Sequence, residues 1–181
     1  DILRGGDGDD TVDGGDDNDV LRGGADNDTI IGGGGIDLIE LIGATPFIVN
    51  LALSTVSGEG DDSITGVENV NTGGGDDTIT GDAEANLIDA GGGNDTVYGG
   101  AGDDRLYGRN GDDTLDGGVG NDRLYGDGGD DHLLGNDGHD RLYGGRGDDI
   151  LDGGTGGDTF HGGGGNDSII DPDGEGEDQW N

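Results

Sequence analysis

Residues 99–125 read GGAGDDRLY-GRNGDDTLD-GGVGNDRLY, three consecutive copies of one nine-residue pattern. The pattern is Gly-Gly-x-Gly-x-Asp-x-U-x, in which U is a large apolar residue. Outward from this stretch, the same period runs unbroken from residue 72 to residue 170, and it reappears from residue 5 to residue 40. A short period kept over most of a chain indicates a solenoid, in which each repeat stacks on its neighbours.

Two positions of the repeat hardly vary. Position 6 is Asp in every copy except one, where Asn86 replaces it. Position 8 is always apolar, and its occupants are Val12, Leu21, Ile30, Ile39, Ile79, Ile88, Val97, Leu106, Leu115, Leu124, Leu133, Leu142, Leu151, Phe160 and Ile169. This pattern predicts a very short strand over positions 7 to 9, with position 8 turned towards a core and its neighbours turned outward.

The overall composition is unusual for a folded protein. The 181 residues carry a formal net charge of -36 and include 48 Gly and no Cys. Such acidity, with few large apolar residues, is typical of disordered chains. One apolar side chain per repeat is also too thin a core to offset the conformational entropy lost on folding. Something other than apolar burial must therefore stabilise the fold.

The position-6 aspartates indicate what that stabilising agent is. If repeats stack as parallel strands, these carboxylates recur roughly every 4.8 Å and repel by about 3 kcal/mol at an effective dielectric of about 20. Carboxylates and backbone carbonyls are hard oxygen ligands that suit Ca²⁺, whereas Mg²⁺ demands strict octahedral geometry. Zinc would favour His or Cys, and the chain has three His and no Cys. The residues therefore predict several Ca²⁺ ions per chain.

The glycines complete this interpretation. Gly at positions 1, 2 and 4 permits positive φ and close backbone approach, so that carbonyls can turn towards a cation. Two consecutive nonapeptides make one coil with a loop at each edge. A calcium ion is then expected between one loop and the equivalent loop of the next coil.

The repeat resembles the RTX, or haemolysin-type, calcium-binding nonapeptide family, and the resemblance covers about 135 of the 181 residues. It implies an all-β fold, a right-handed parallel β-roll (a β-solenoid) with Ca²⁺ bound between turns. Two nonapeptides per coil give about ten coils, and one ion shared by successive coils at each edge gives on the order of ten ions. It also implies that position-6 carboxylates and the carbonyls of positions 2 and 4 are the ligands. The carboxylates are those of Asp10, Asp19, Asp28, Asp37, Asp77, Asp95, Asp104, Asp113, Asp122, Asp131, Asp140, Asp149, Asp158 and Asp167. The carbonyls are those of Gly6, Gly8, Gly33, Gly35, Gly100, Gly102, Gly118, Gly120, Gly145, Gly147, Gly154, Gly156, Gly163 and Gly165.

Some repeats depart from the family pattern. Position 2 or position 4 carries a side chain at Asp17, Asp26, Glu84, Arg109, Asp127 and Asn136. A carbonyl ligand survives such a replacement. The repeat 81–89 (GDAEANLID) lacks the aspartate altogether, so weak or absent calcium binding is expected there.

The period divides the chain into four parts. These are a repeat array at 1–40, an interruption at 41–71, an array of eleven nonapeptides at 72–170 and a terminal cap or tail at 171–181. Since residue 1 falls inside a repeat, we expect the chain to be part of a larger protein.

The interruption predicts a half-buried strand, because Phe47, Val49, Leu51 and Leu53 alternate with smaller or polar residues. We expect a pair of longer coils with degenerate loops and no calcium, continuing the roll. The alternative is a small inserted binding element.

The register of the second array resumes before residue 72. Val70 lies one repeat before Ile79, which makes Glu68 the equivalent of position 6.

No catalytic motif is present in the sequence. His132, His139 and His161 occupy three different repeat positions, and there is no HExxH helix, nucleophile elbow or phosphate-binding loop. Glycoside hydrolysis needs two carboxylates in distinct environments, whereas these are repeated and equivalent. We therefore expect no catalytic residue and no enzymatic activity from this chain.

One surface feature remains open to two interpretations. Position 7 is Arg and position 9 is Tyr in the repeats that contain Arg105/Tyr107, Arg123/Tyr125 and Arg141/Tyr143. At a spacing of two repeats they form one ladder on a single sheet face, whereas the opposite face carries Thr114, Asp116, His132, Leu134, Ile150 and Asp152. The ladder is either self-packing, with stacked rings, or a docking surface for a partner domain or a polysaccharide.

The function expected from these features is calcium-dependent folding and structural support in a secreted or cell-surface bacterial protein. The resemblance further implies type I secretion. Two alternatives are the C-terminal part of an exported protease, lipase or epimerase, whose catalytic domain lies outside these residues, and a surface-layer or adhesin segment that stacks end to end. Expected partners are calcium ions, flanking domains, another copy or a polysaccharide, with no nucleic acid and no membrane span.

Overall fold

The structure is a computed structural model, and it describes residues 1–172 and residue 174. Within these residues every regular element is a β-strand. In chain order the twenty strands are β1 Ile2–Asp7, β2 Thr11–Asp16, β3 Val20–Ala25, β4 Thr29–Gly34, β5 Leu38–Glu40, β6 Ile48–Asn50, β7 Thr55–Ser57, β8 Asp61–Thr65, β9 Asn69–Asn71, β10 Thr78–Thr80, β11 Leu87–Asp89, β12 Thr96–Ala101, β13 Arg105–Asn110, β14 Thr114–Val119, β15 Arg123–Gly128, β16 His132–Asp137, β17 Arg141–Arg146, β18 Ile150–Asp152, β19 Thr159–Gly164 and β20 Ser168–Ile170.

The strands form two sheets that the chain visits alternately. The nine-stranded sheet has the order β1-β3-β5-β9-β11-β13-β15-β17-β19, and the eleven-stranded sheet has the order β2-β4-β8-β7-β6-β10-β12-β14-β16-β18-β20. In the repeat arrays all pairs are parallel and the register is two nonapeptides, as in Leu106↔Leu124↔Leu142. The expected all-β solenoid of stacked parallel coils is confirmed, with about nine turns instead of about ten.

Most strands are longer than positions 7 to 9 alone would give. Strand β13, for example, runs from position 7 of one repeat through position 3 of the next. Pairing therefore continues around the corner into the loop, where Arg109 lies opposite Asp127. The loops are consequently held coil to coil by the same register as the strands.

The core is a single column of apolar side chains between the two sheets. The position-8 residues from Val12 to Phe160 are buried, and Ile169 is partly buried against them. Because the neighbours at positions 7 and 9 point outward, each regular repeat contributes one large side chain to this column. The inward orientation predicted for position 8 is confirmed.

The interruption differs from the expected pair of longer coils. Strands β6, β7 and β8 insert side by side into the eleven-stranded sheet, and β7 is antiparallel to both of its neighbours. The nine-stranded sheet meanwhile continues directly from β5 to β9. The physical reason is the short connections within 50–61, which allow only a meander of antiparallel neighbours, whereas a parallel pair needs a crossover.

The predicted burial is confirmed for three of the four alternating apolar residues of this segment. Phe47, Val49 and Leu51 are buried as predicted, but Leu53 lies in the turn after β6 with 72% of its surface exposed. The register predicted for Val70 is confirmed, because this residue pairs with Ile39 and Ile88.

The expected terminal cap lies mostly outside the described residues. Of 171–181, the structure describes 171, 172 and 174.

Candidate metal-binding loops

The position-6 aspartates are among the most buried residues of the molecule. In the two arrays each of them from Asp19 to Asp158 is at most 3% exposed, although it carries a carboxylate. Asp10 and Asp167, in the outermost repeats, are half-buried. Burying a charge is costly unless it is paired, so each loop must provide compensation.

From Asp19 onward, one oxygen of the carboxylate is used to join coils. The backbone N–H of Asp104 donates to Oδ1 of Asp122 at 2.8 Å, and the N–H of Asp122 donates to Oδ1 of Asp140 at 2.7 Å. The same bond recurs along the other loop edge, for example from the Asp113 N–H to Asp131 Oδ1 at 2.9 Å. These bonds fix the orientation of the carboxylates.

The second oxygen of the carboxylate faces into the loop and lacks a hydrogen-bond partner. Among the described residues the buried oxygens in this state are Oδ2 of Asp19, Asp28, Asp37, Asp77, Asp95, Asp104, Asp113, Asp122, Asp131, Asp140 and Asp149. Orphaned buried carboxylate oxygens in such a regular column need an explanation. A cation that bridges successive loops would supply the missing partner.

The electrostatics of the loops agree with this need. Burial raises the pKa of Asp113 and Asp140 to about 7, and it raises the pKa of Asp104 and Asp122 to about 6. Repulsion from neighbouring aspartates adds to the effect of burial. These four carboxylates therefore favour an added positive charge, whether a proton or a metal ion.

The backbone carbonyls predicted as ligands point from one coil towards the next. All fourteen of the predicted glycines have positive φ, for example 100° at Gly118 and 146° at Gly120. A Cβ at either residue would overlap the carbonyl oxygen of the equivalent glycine one coil earlier, Gly100 or Gly102. Replacements at Asp17, Asp26, Arg109, Asp127 and Asn136 keep positive φ, whereas Glu84 does not.

Glycine at position 1 fulfils only one of the two roles expected of it, the close approach of the backbone. Its φ is not positive, so the predicted conformational reason is wrong for this position. A Cβ at Gly14 would lie 2.6 Å from both Asp19 Oδ2 and the Gly32 carbonyl oxygen. In the repeats that begin with glycine, the absence of a side chain thus leaves room for two oxygens that converge inside the loop, whereas two other repeats begin with Thr72 and Ala90.

A second column of side chains, at position 5, was missed by the sequence analysis. The N–H of Asp112 donates to Asn94 Oδ1 at 3.0 Å, and the N–H of Asp130 donates to Asp112 Oδ1 at 2.9 Å. These bonds run in the opposite direction to those of position 6. The signal that could have revealed them is the abundance of Asp and Asn at position 5.

The comparison of the two columns shows why position 6 is aspartate. Position 5 can be Asn, as in Asn94 and Asn121. It can even be His139, whose Nδ1 accepts a hydrogen bond from the Gly157 N–H at 2.8 Å. A single acceptor atom is enough there. Position 6 has a second, buried oxygen directed into the loop, which calls for a cation that an amide could not hold equally well.

The donor set therefore fits a hard cation such as Ca²⁺. Within the described part of the chain no group of three or more His, Cys, Asp or Glu side chains is placed to hold a metal ion. A site in these loops must take many of its ligands from backbone carbonyls, which Ca²⁺ accepts readily.

Comparison with known proteins agrees with this geometry. The sequence model of the RTX calcium-binding nonapeptide repeat matches residues 1–39, 71–106, 98–133, 107–142 and 134–169. The chain belongs to this RTX family. A search of curated proteins finds no match. The RTX repeat is a structural, calcium-binding unit, and the matches leave out the inserted meander.

The tyrosine ladder of this RTX chain packs against itself. Tyr107, Tyr125 and Tyr143 stack with ring centroids 4.8 Å apart, and His161 continues the stack at 4.7 Å. Arg109 covers the other end, 4.5 Å above the Tyr107 ring. Both faces of the inner rings are occupied by neighbours, which favours the self-packing interpretation.

Arg109 also forms ion pairs at this end of the ladder. It pairs with Asp89 at 2.6 Å and with Asp127 at 3.3 Å.

The three histidines do not share a site: His132 lies on β16, His139 lies in a loop and His161 ends the aromatic stack. In the described residues no helix is long and apolar enough to cross a bilayer.

Proposed function

We propose that this chain is a calcium-dependent folding module that gives structural support to a secreted or cell-surface bacterial protein. The observation that carries the proposal is the column of buried position-6 Oδ2 atoms without partners. Each ion would lie between equivalent loops of successive coils, held by the position-6 carboxylates and the position-2 and position-4 carbonyls predicted above.

The residues of the chain prepare these sites. A backbone N–H of the preceding coil holds Oδ1, so the carboxylate has already lost its rotational freedom, and glycine at position 1 keeps the space in front of Oδ2 open. Bound calcium supplies the positive charge that neutralises adjacent carboxylates. The cost of assembling the acidic loops is therefore recovered only when ions are present.

Linkage gives this arrangement a biological direction. A ligand that binds only the folded chain stabilises it by mass action. Extracellular calcium modules bind with Kd values of about 10⁻⁴–10⁻³ M, so they stay empty at the far lower free calcium of a cytosol. The chain would remain largely open inside the cell, which suits type I export, and would fold outside.

The test is a calcium titration of the EDTA-treated chain, followed by far-UV circular dichroism. We expect most of the β signal to appear with calcium, and an equal concentration of Mg²⁺ to produce much less. Calorimetry on the same sample should show several bound ions per chain. A full β signal in EDTA, unchanged by calcium, would contradict the proposal.

A further inference from the structure

The column of unpartnered carboxylate oxygens is interrupted in the middle of the molecule. At one edge of the solenoid the loops precede strands of the eleven-stranded sheet, and there no such oxygen lies between those of Asp28 and Asp77. At the other edge the loops precede strands of the nine-stranded sheet, and there none lies between those of Asp37 and Asp104. The gap coincides with the inserted meander and the strands that face it.

The position-6 equivalents inside this gap are Asp62 and Phe47 on one edge and Glu68 and Asn86 on the other. Asp62 Oδ1 accepts the Asp28 N–H at 2.9 Å, and Glu68 Oε2 accepts the Asp37 N–H at 2.8 Å. Neither acid has a fully buried oxygen that lacks a partner in the described structure. Phe47 replaces the carboxylate by a buried ring.

The Asn86 loop is closed by hydrogen bonds instead of a cation. Asn86 Oδ1 lies where the orphaned oxygen lies in other repeats, because a Cβ at Gly81 would overlap it. It accepts the N–H of Asp82 at 3.0 Å, while Asn86 Nδ2 donates to the Glu68 carbonyl at 2.8 Å. A backbone donor thus occupies the role that a cation would have, which gives the calcium-free loop expected here a structural reason.

The gap is also where the apolar core is densest. Within 41–70, eight apolar side chains are buried: Leu41, Phe47, Val49, Leu51, Val56, Ile64, Val67 and Val70. A regular nonapeptide buries one. This segment therefore holds far more apolar burial per ordered residue than either array, which offsets more of its conformational entropy.

The meander is formed by local contacts. The turn after β6 is closed by the Leu53 N–H, which donates to Asn50 Oδ1 at 2.8 Å, and by the Ser54 N–H, which donates to the Leu51 carbonyl at 3.0 Å. Three strands with one buried face are the minimum for an independently stable sheet. Short loops also reduce the entropy cost of bringing strands together.

We propose that strands β5 to β9, together with β11, form a calcium-independent hub from which the two calcium-dependent arrays extend in opposite directions. In the calcium-free chain the hub stays folded while both arrays open. It then offers each array a ready edge on which the first coil can pair once calcium is present. This inference rests on the calcium dependence proposed above, and the two can fail separately.

Hydrogen exchange of the full chain, measured by mass spectrometry in EDTA and in calcium, tests the hub. In EDTA we expect protection in 38–71 and 81–89 and little in 5–34 or 105–170, whereas calcium should protect all four segments. Fast exchange of the hub in EDTA, with calcium still protecting the arrays, overturns the hub alone. Protected arrays in EDTA would instead contradict the proposed function.

A pair of core variants separates local from global effects. Val49→Asp and Val97→Asp place a charge at equivalent, fully buried positions of the eleven-stranded sheet, the first in the hub and the second in an array. V49D should abolish protection of 38–71 in EDTA, and V97D should leave it unchanged. Equal loss in both variants would show that the residual structure is not confined to the hub.

The Asn86 loop provides a second, milder test. Asn86→Asp should remove protection of 81–89 in EDTA and restore it with calcium, because the new carboxylate oxygen repels the Glu68 carbonyl. Asn94→Asp is the matched control, since position 5 needs only an acceptor. Unchanged protection of N86D in EDTA would overturn the role given to this loop.

Discussion

At the scale of single residues, adjacent acidic positions have different chemistry. Position 5 uses one acceptor atom, and its residues, such as Asp112 and Asp130, are exposed. Position 6 buries both oxygens and leaves one without a protein partner. A change from carboxylate to amide should therefore be harmless at the first position and harmful at the second.

The variant pair Asp122→Asn and Asp112→Asn tests this difference. In D122N an amide nitrogen or an uncharged oxygen replaces a proposed calcium ligand, which should cost about 1–3 kcal/mol in calcium-loaded stability and raise the calcium midpoint. D112N keeps the acceptor for the Asp130 N–H and should behave as the unmodified chain. Calcium titrations followed by circular dichroism give both midpoints, and equal shifts in the two variants would contradict the assignment.

At the scale of elements, the two-repeat register turns each repeat position into a column. Strands β13, β15, β17 and β19 pair in this order, which places three tyrosines and His161 in direct succession. Aromatic pairs contribute roughly 0.5–1.5 kcal/mol beyond area burial. The ladder therefore stabilises coil-to-coil stacking on one face, independently of the loops.

The variant Tyr125→Ala removes the two stacking contacts of an inner ring. We expect it to lower the free energy of unfolding in saturating calcium by about 1–3 kcal/mol more than Leu134→Ala does. Leu134 is the control because it is also half-buried at position 9, but its neighbours on the other sheet are Asp116 and Asp152. Urea denaturation of both variants would measure the difference, and equal losses would show that stacking adds nothing.

At the scale of the whole molecule, cations and protons compete for the same carboxylates of the stacked acidic loops. The pKa of Asp113 and Asp140 rises from 3.8 to about 7 in the compact chain. Protonation of such groups stabilises the calcium-free compact state fully below the unfolded pKa, which is 3.8. This contribution is lost as the pH rises through about 6 to 7.

Calcium binding should show the opposite pH dependence. Between about pH 8 and about pH 5.5 the calcium midpoint should rise as the pH falls, because ions must displace protons from raised-pKa carboxyls such as Asp104 and Asp140. Titrations at several pH values, with proton release measured in two buffers of different ionisation enthalpy, would check this. A midpoint that does not change over this range would contradict the linkage.

The sequence by itself determined the repeat unit, the inward position 8, the column of acids at position 6 and the departure from it at Asn86. It could do so because strict periodicity makes each side chain face the same surroundings, and local chemistry then repeats without ambiguity. The family assignment rests on the same residues, 1–39 and 71–169.

Only the tertiary structure decided the remaining features. Three of them depend on contacts between or within coils that the sequence does not specify. They are the direction of the hydrogen bonds in the position-5 column, the space kept at position 1 and the hydrogen bonds of the Asn86 loop. The antiparallel strand β7 appears where the period stops, so that no register was available to predict its partners. Contacts that repeat with the period can be predicted from residue spacing, whereas contacts outside the period are known only once the chain has folded.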